Sequence, residues 1–361
     1  MGRLNLENNS HAESPKNSEQ LDYLDGWRGF AVLLLLIGHF FPYWRLDFGT
    51  VGVNFFFVLS GFLMAKQLFL HQTSIPVFYK RRISRIFPAL YLFIILTVVF
   101  YFAANLPISW EVVAGSAGLI RNYYPGGFGN KLPFDNIWSL SVEEHSYILL
   151  SIIALAVRGN ISRQRILLGV FTCAFVLISA WYVWRFPGPH LYDEKLIHSE
   201  VSAFGIFCSG FFLLCFGYRK DRKIPSFIFY TLPIIGILSH YHSVPYTLTL
   251  IVGVGSLALL INILHKAPAW MLRVLSFSVF RNLGLWSYSI YLWQQPFFVL
   301  KNKGVLPTTT ALMLALLVGM LSYFLVESPV RKYLNRTWAR KDIASFKHFP
   351  SSGTISTRET V

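Results

Sequence analysis

The chain has 361 residues, of which 54% are hydrophobic and only 14% charged, and its formal net charge is +15. A soluble domain would carry about a quarter charged residues, and here the apolar residues come in long unbroken runs, so the composition excludes an ordinary soluble protein and indicates an all-α integral membrane protein. A basic balance can mark a nucleic-acid binder, but the excess of Lys and Arg in cytoplasmic loops explains this one more simply, and no nucleic-acid partner is expected.

Residues 1–20 are polar and hold no hydrophobic core, so they read as a disordered cytoplasmic tail and not as a signal peptide. Residues 21–335 form the membrane domain. Apolar runs predict about ten transmembrane helices, near 29–44, 50–70, 86–104, 135–157, 165–184, 200–217, 225–241, 246–264, 283–300 and 308–327. Residues 336–361 read as a second cytoplasmic tail, with no fused hydrolase-like domain expected. Ten spans put both termini on one side. One set of loops carries twenty Lys and Arg, among them Lys80, Arg81, Arg82, Arg85, Arg158, Arg219, Lys220, Arg222, Lys266 and Arg331. The other set carries seven: Arg45, Arg121, Lys131, Arg185, Lys195, Lys301 and Lys303. The asymmetry places the first set and both termini in the cytoplasm.

Between the third and fourth spans, Val112 to Ile120 is apolar but too short to cross, and is expected to be re-entrant or interfacial. The loop 185–199 holds His190, Tyr192, Asp193, Glu194 and His198, a mixture that suits a hydroxylated ligand as well as it suits an ordinary wet loop. Cys173, Cys208 and Cys215 lie inside apolar runs and read as small buried hydrophobes; no metal site is expected.

The first span opens with Leu21-Asp22-Tyr23-Leu24-Asp25-Gly26-Trp27-Arg28 and contains His39. Eleven helical steps make three turns plus about 20°, so Arg28 and His39 share a face about 16 Å apart. With Arg28 at the cytoplasmic surface, His39 falls near the midplane, where an ionisable side chain is a functional candidate; a histidine packed between helices is the plainer alternative. The second span places Asn54 and Ser60 in a Phe-rich helix whose Gly52 and Gly61 allow close packing; the Asn54 amide needs partners there. Lys80 to Arg85 is the densest basic cluster, suited to phosphate as well as to setting topology, and Arg81 and Arg85 are four apart on one helix face. The fourth span carries Glu143, Glu144 and His145, with Tyr147 one turn from Glu143. Tyr288, Tyr291, Trp293 and Gln294 precede a proline kink at Pro296. Glu327 and Arg331 form an i, i+4 pair that reads as a structural closure.

Together these stretches resemble the acyltransferase-3 integral membrane O-acyltransferases. Leu24-Asp25-Gly26-Trp27-Arg28-Gly29-Phe30 with His39 is similar to the family's opening signature. Ser60-Gly61, Arg81-Arg82-x-x-Arg85-Ile-x-Pro88, Trp138-Ser139-Leu140-Ser141-Val142-Glu143-Glu144 and Tyr288-Ser289-Ile290-Tyr291-Leu292-Trp293 are similar to its later motifs. Trp27 stands where the family usually has Leu, a change expected at the bilayer surface and without effect. Gln294 stands where the family usually has His. Gln hydrogen-bonds but does not shuttle protons, so no catalytic role is assigned to that helix.

The resemblance implies a multi-pass protein of the bacterial cytoplasmic (inner) membrane. It implies transfer of an acyl group, most often acetyl, from cytoplasmic acyl-CoA to a hydroxyl. The acceptor would be a cell-surface glycan such as lipopolysaccharide O-antigen or exopolysaccharide, or else a lipid-linked precursor or small natural product. In that reading His39, Glu143 and Arg28 are catalytic; Arg28, Arg81, Arg82 and Arg85 hold the acetyl-CoA phosphates; and Asn54, Ser60, Glu144, Tyr147, Tyr291 and Trp293 face the substrate. His39 would act as general base on the acceptor hydroxyl, with Glu143 orienting it. A glycan or lipid transporter also fits ten helices with polar midplane residues, although no repeated halves are visible.

Overall fold

A computed structural model describes residues 15–43, 45–124, 132–186, 194–216 and 223–347. His190, Tyr192, Asp193, Lys131, Arg219, Lys220 and Arg222 lie outside them, as do most of the two expected tails. The described residues are helical, with only isolated bridges of extended backbone, between Tyr43 and Leu46 and between Leu46 and Tyr241. The helices are α1 (Pro15–Phe40), α2 (Phe48–Ala65), α3 (Ile75–Ala103), α4 (Trp110–Ala117), α5 (Ile137–Ala156), α6 (Ile161–Arg185), α7 (Ser199–Ser202), α8 (Phe204–Phe216), α9 (Ile228–Leu238), α10 (Tyr246–Leu248), α11 (Gly255–Ile263), α12 (Ala269–Leu275), α13 (Ser278–Asn302), α14 (Thr308–Ser322) and α15 (Ser328–Lys347).

Among the described residues seven helical stretches are long and apolar enough to cross a bilayer: Phe48–Leu70, Ile75–Ala103, Ile137–Ala156, Ile161–Arg185, Ser199–Phe216, Tyr246–Lys266 and Thr308–Trp338. They fall on seven of the ten expected spans, and the chain is an all-α membrane protein. The other three expected spans are helical too. α9 is apolar but short, and α1 and α13 are long but interrupted by polar side chains. On α13, Arg281 and Lys301 stand twenty residues apart, about 30 Å of helix rise and close to one hydrocarbon thickness. α1 begins at Pro15, inside the stretch expected to be a disordered tail.

Peripheral faces are apolar and exposed, as at Leu177 (69%) and Trp184 (76%), which is what a lipid-facing surface requires. The interior is built on α1, α2 and α13. α1 and α13 run parallel, because Gly26 meets Leu275, Gly29 meets Phe280, and His39 meets Gln294. A Cβ on Gly29 would strike the Phe280 carbonyl, and one on Gly284 the Asp25 carbonyl; only glycine permits backbones this close. At the other end of α1 the same holds for Gly38 against the backbone of Gly49, which brings the start of α2 beside His39. Trp27 is 2% exposed, packs against the Phe55 ring at 4.6 Å and donates its indole N–H to the Phe55 carbonyl at 2.9 Å. It therefore belongs to the α1–α2 interface and not to the bilayer surface, because its polar edge finds a partner only there.

The segment 112–120 dips inward as a re-entrant piece would. The Ala117 carbonyl accepts from the Tyr91 phenol at 3.3 Å, and Tyr91 lies twelve residues before the end of α3, about 18 Å of rise. A buried ion pair fastens the chain after it: Arg121 (fully buried) bonds Asp135 at 2.8 Å and the Tyr124 carbonyl at 3.1 Å.

Candidate active site

Side chains from α1, α2, α3, α5 and α13 enclose one pocket, about 750 Å³ counted out to its mouth. Arg28, Arg82 and Arg85 line it together with Ser60, Glu143, Ser139, Tyr288 and Tyr291, between apolar walls of Val53, Phe56, Phe57, Leu63 and Ile86. Arg28, Ser60, Glu143, Arg82, Arg85 and Tyr291 are thus brought to one place from five helices, as the sequence motifs lead one to expect.

Glu143 is held from three sides. Ser60 Oγ donates to its Oε1 at 2.6 Å, the Tyr147 phenol donates to Oε2 at 2.9 Å, and Arg82 Nη2 lies 3.8 Å away. Arg82 pairs more closely with Glu144, at 3.4 Å. Its guanidinium lies 3.6 Å above the Tyr147 ring and reaches the Met64 sulfur at 3.0 Å. Two carboxylates, one guanidinium and one aromatic face therefore satisfy one another in the pocket wall, the arrangement that makes buried charges tolerable. Tyr147 is fully buried and Glu144 does not line the pocket, so both act here as partners of Arg82 and Glu143 and not as groups facing a substrate.

Two arginines remain for an anion. Arg28 carries an ion pair with Asp25 at 2.6 Å. Arg85 forms no ion pair among the described residues, although it lies within electrostatic range of Arg28, Arg82, Arg331 and Glu327. Glu327 is 1% exposed and holds Ser289 at 2.8 Å and Arg331 at 3.5 Å, the closure expected of that pair. Arg81 is exposed and lies outside the pocket. The i, i+4 spacing selects Arg81 with Arg85, but α3 is rotated so that Arg82, drawn to Glu143 and Glu144, faces inward with Arg85.

His39 does not line this pocket. Its Nδ1 lies 2.8 Å from Gln294 Oε1, its ring stacks on Phe298 at 4.6 Å, and its backbone carbonyl accepts from Lys301 Nζ at 3.0 Å. An amide oxygen only accepts, so Nδ1 carries the hydrogen, and Nε2 is left as the basic nitrogen, turned toward Gly49. Gln294 is seven residues short of Lys301, about 10 Å of rise. His39 therefore lies nearer the Lys301 end of α13 than the Arg281 end. Between it and the pocket stand Phe56 and Tyr291, in edge contact at 6.3 Å. Tyr291 is tied to Ser139 and to the Asn136 carbonyl, both at 2.6 Å, and Gln294 lies one helical turn beyond it. Glu143 and His39 share no contact, so the carboxylate does not orient the imidazole. Gln294 does that instead.

Two further expectations are corrected. Asn54 is buried with its amide 2.9 Å from His240 Nε2, while His240 Nδ1 bonds the Gly236 carbonyl at 2.8 Å. This ties α2 to the end of α9, and Asn54 does not line the pocket. Trp293 packs edge-on against Phe93 at 5.2 Å, outside the pocket. Two further residues line the pocket that sequence reasoning gave no role: Tyr288, whose phenol donates to the Ile86 carbonyl at 2.9 Å, and Ser287 beside it.

The family model for the acyltransferase domain matches residues 21–326. The chain belongs to this acyltransferase family. It is 28% identical to a putative peptidoglycan O-acetyltransferase, YrhL of Bacillus subtilis, over 92% of this chain and 58% of that protein. It is 25% identical to the peptidoglycan O-acetyltransferase OatA of Listeria monocytogenes (86% of this chain, 55% of that one) and 27% identical to the O-acetyltransferase OatA of Staphylococcus aureus (86% and 57%). The chain thus spans a little over half the length of these relatives. No solved structure matches it.

Proposed function

We propose that the protein is a membrane O-acyltransferase that moves an acetyl group from cytoplasmic acetyl-CoA to a hydroxyl of a cell-surface glycan. The observation that carries this reading is Arg85, an arginine without an ion-pair partner among the described residues, which shares with Arg28 a pocket whose other walls include Val53, Phe56, Phe57, Leu63 and Ile86. Guanidinium groups bind phosphate oxygens in bidentate fashion, and an apolar channel beyond them suits an extended acyl-thioester arm. With the basic loops in the cytoplasm, Arg28 and Arg85 lie toward the side that holds that donor.

The acyl group then has one turn of helix to travel, past Phe56 and Tyr291, to reach His39. There Nε2 takes the proton of the acceptor hydroxyl as its oxygen attacks the thioester carbonyl, and the thiolate leaves. Gln294 holds the imidazole in the tautomer that this step needs, as a carboxylate does in hydrolase triads. The relatives named as peptidoglycan O-acetyltransferases favour peptidoglycan among the possible glycans over lipopolysaccharide or exopolysaccharide.

The test supplies membranes containing the protein with radiolabelled acetyl-CoA and follows label into purified surface glycan. Base-labile label in glycan is the expected result. Unchanged acetyl-CoA and unlabelled glycan with folded protein would remove the proposal.

A further inference from the structure

The half-buried imidazole of His39 keeps one nitrogen open. Gln294 takes Nδ1 at 2.8 Å, and among the described residues nothing bonds Nε2. Beside Nε2 stands the first turn of α2. A Cβ built on Gly49 would lie 3.4 Å from Nε2 and 3.2 Å from Asp47 Oδ1. The imidazole nitrogen and the carboxylate oxygen therefore border one gap, which the missing side chain of Gly49 opens. Packing does not demand a glycine there. A Cβ on Gly38 would strike the Gly49 backbone, whereas one on Gly49 would meet nothing closer than 3.2 Å. Glycine weakens a helix relative to alanine, so its presence at position 49 has another reason than the close approach of α1 and α2.

The walls of the gap are held in place. Asp47 caps α2: its Oδ1 accepts from the Thr50 N–H at 2.9 Å, and its Oδ2 from the Thr50 hydroxyl at 2.5 Å. A carboxylate offers about four acceptor positions, so these bonds fix its direction and leave it able to accept more. The chain leading to Asp47 is pinned to the segment after α9. There the Arg45 carbonyl accepts from the His242 N–H at 2.9 Å, and the Asp47 N–H donates to the His240 carbonyl at 3.4 Å. Asp47 is half-buried, as His39 is, so neither is sealed. Lys301 donates to the His39 carbonyl at 3.0 Å, which sets the gap at the end of α13 remote from Arg281. That is the side where the distribution of Lys and Arg among the loops puts the cell exterior.

We infer that this gap is the acceptor subsite, in which one glycan hydroxyl sits at Gly49 and donates to His39 Nε2 while a second donor of the same glycan, a hydroxyl or an amide N–H, bonds the Asp47 carboxylate. An imidazole nitrogen without its hydrogen and a carboxylate both only accept, so the occupant must bring two donors. A sugar brings them. A monohydric alcohol brings one, and the thioester carbonyl of an acyl donor brings none. Asp47 therefore selects for a polyhydric acceptor, and Gly49 keeps the base within its reach. The inference rests on the transferase reading for the identity of the glycan; the two facing acceptors do not depend on it.

The experiment treats the full-length protein in detergent with diethyl pyrocarbonate, which acylates accessible unprotonated imidazole nitrogens, and maps the modified peptides. It is run alone, with soluble peptidoglycan fragments, and with 1-propanol. Modification of His39 is expected, with protection by the fragments and none by propanol. His240, fully buried with both nitrogens engaged, stays unmodified. Gly49→Ala fills the gap and removes both the modification and glycan acetylation. Asp47→Asn keeps the helix cap, because Asn caps as well as Asp, and keeps the modification. The fragments then protect about tenfold more weakly, the loss of one hydrogen bond to a charged group. Folded wild-type protein whose His39 is unreactive, or reacts equally with and without fragments, would overturn the proposal. So would unchanged protection in Asp47→Asn, or a Gly49→Ala variant that acetylates glycan at the wild-type rate. Protection by the fragments without any acetyl transfer from acetyl-CoA would overturn the transferase reading and leave the glycan subsite standing.

Discussion

His39 Nδ1 and Gln294 Oε1 stand 2.8 Å apart, joining the last turn of α1 to a residue 255 positions later. Because the amide oxygen can only accept, this bond fixes which imidazole nitrogen is free. Gln294→Leu removes the acceptor without adding charge, and the expected outcome is a kcat lower by about one to two orders of magnitude, a part of what a well-placed general base supplies. Gln294→Glu restores an acceptor and should recover most of the rate. The check is steady-state transfer from acetyl-CoA for the three proteins.

In the proposed reaction Arg85 and Arg28 hold the donor phosphates. Arg85→Ala removes charge-assisted bonds to phosphate, each worth about 1.5–3 kcal/mol, so KM for acetyl-CoA should rise about tenfold or more. Arg28→Lys keeps the charge but loses the planar fork and should raise KM less. In both variants kcat changes less than KM. An initial-rate series over donor concentration separates the two constants.

Phe56 and Tyr291 close the inner end of the pocket. A larger side chain at position 56 should block the last turn of the route to His39. Phe56→Trp is therefore expected to lower kcat while the donor KM stays close to wild type, since the arginines are untouched. A matched rise in KM would place the donor elsewhere.

The Arg121–Asp135 pair is buried on both sides, 0% and 5% exposed. Truncating one partner leaves an uncompensated charge, at a cost of about 3–5 kcal/mol. Asp135→Ala should thus lower the midpoint of thermal unfolding in detergent markedly, whereas an Arg121→Met, Asp135→Leu double variant should recover part of it.

The helices were legible because hydropathy reports the bilayer directly. What hydropathy misses is the part of each helix defined by a neighbour. α1 extends back to Pro15, and its Asp22 is matched by Arg281 of α13 at 3.1 Å, an encounter that no local pattern announces. The same limit explains the site. Ser60, Glu143, Arg28 and Tyr291 could be read from their residue types in an apolar setting. Arg82 could not be told from Arg81 by spacing, because the rotation of α3 is set by Glu143 and Glu144 on α5. Asn54 needs a partner, but only the fold reveals that the partner is His240. Gln294 was set aside for its chemistry, yet its role is to hold a hydrogen and not to move one.

Transfer of radiolabelled acetyl from acetyl-CoA to surface glycan, compared between wild type and His39→Ala at equal amounts of folded protein, tests the central claim most directly. The account predicts label in glycan with wild type and none above background with His39→Ala. Equal labelling by the two proteins would contradict it.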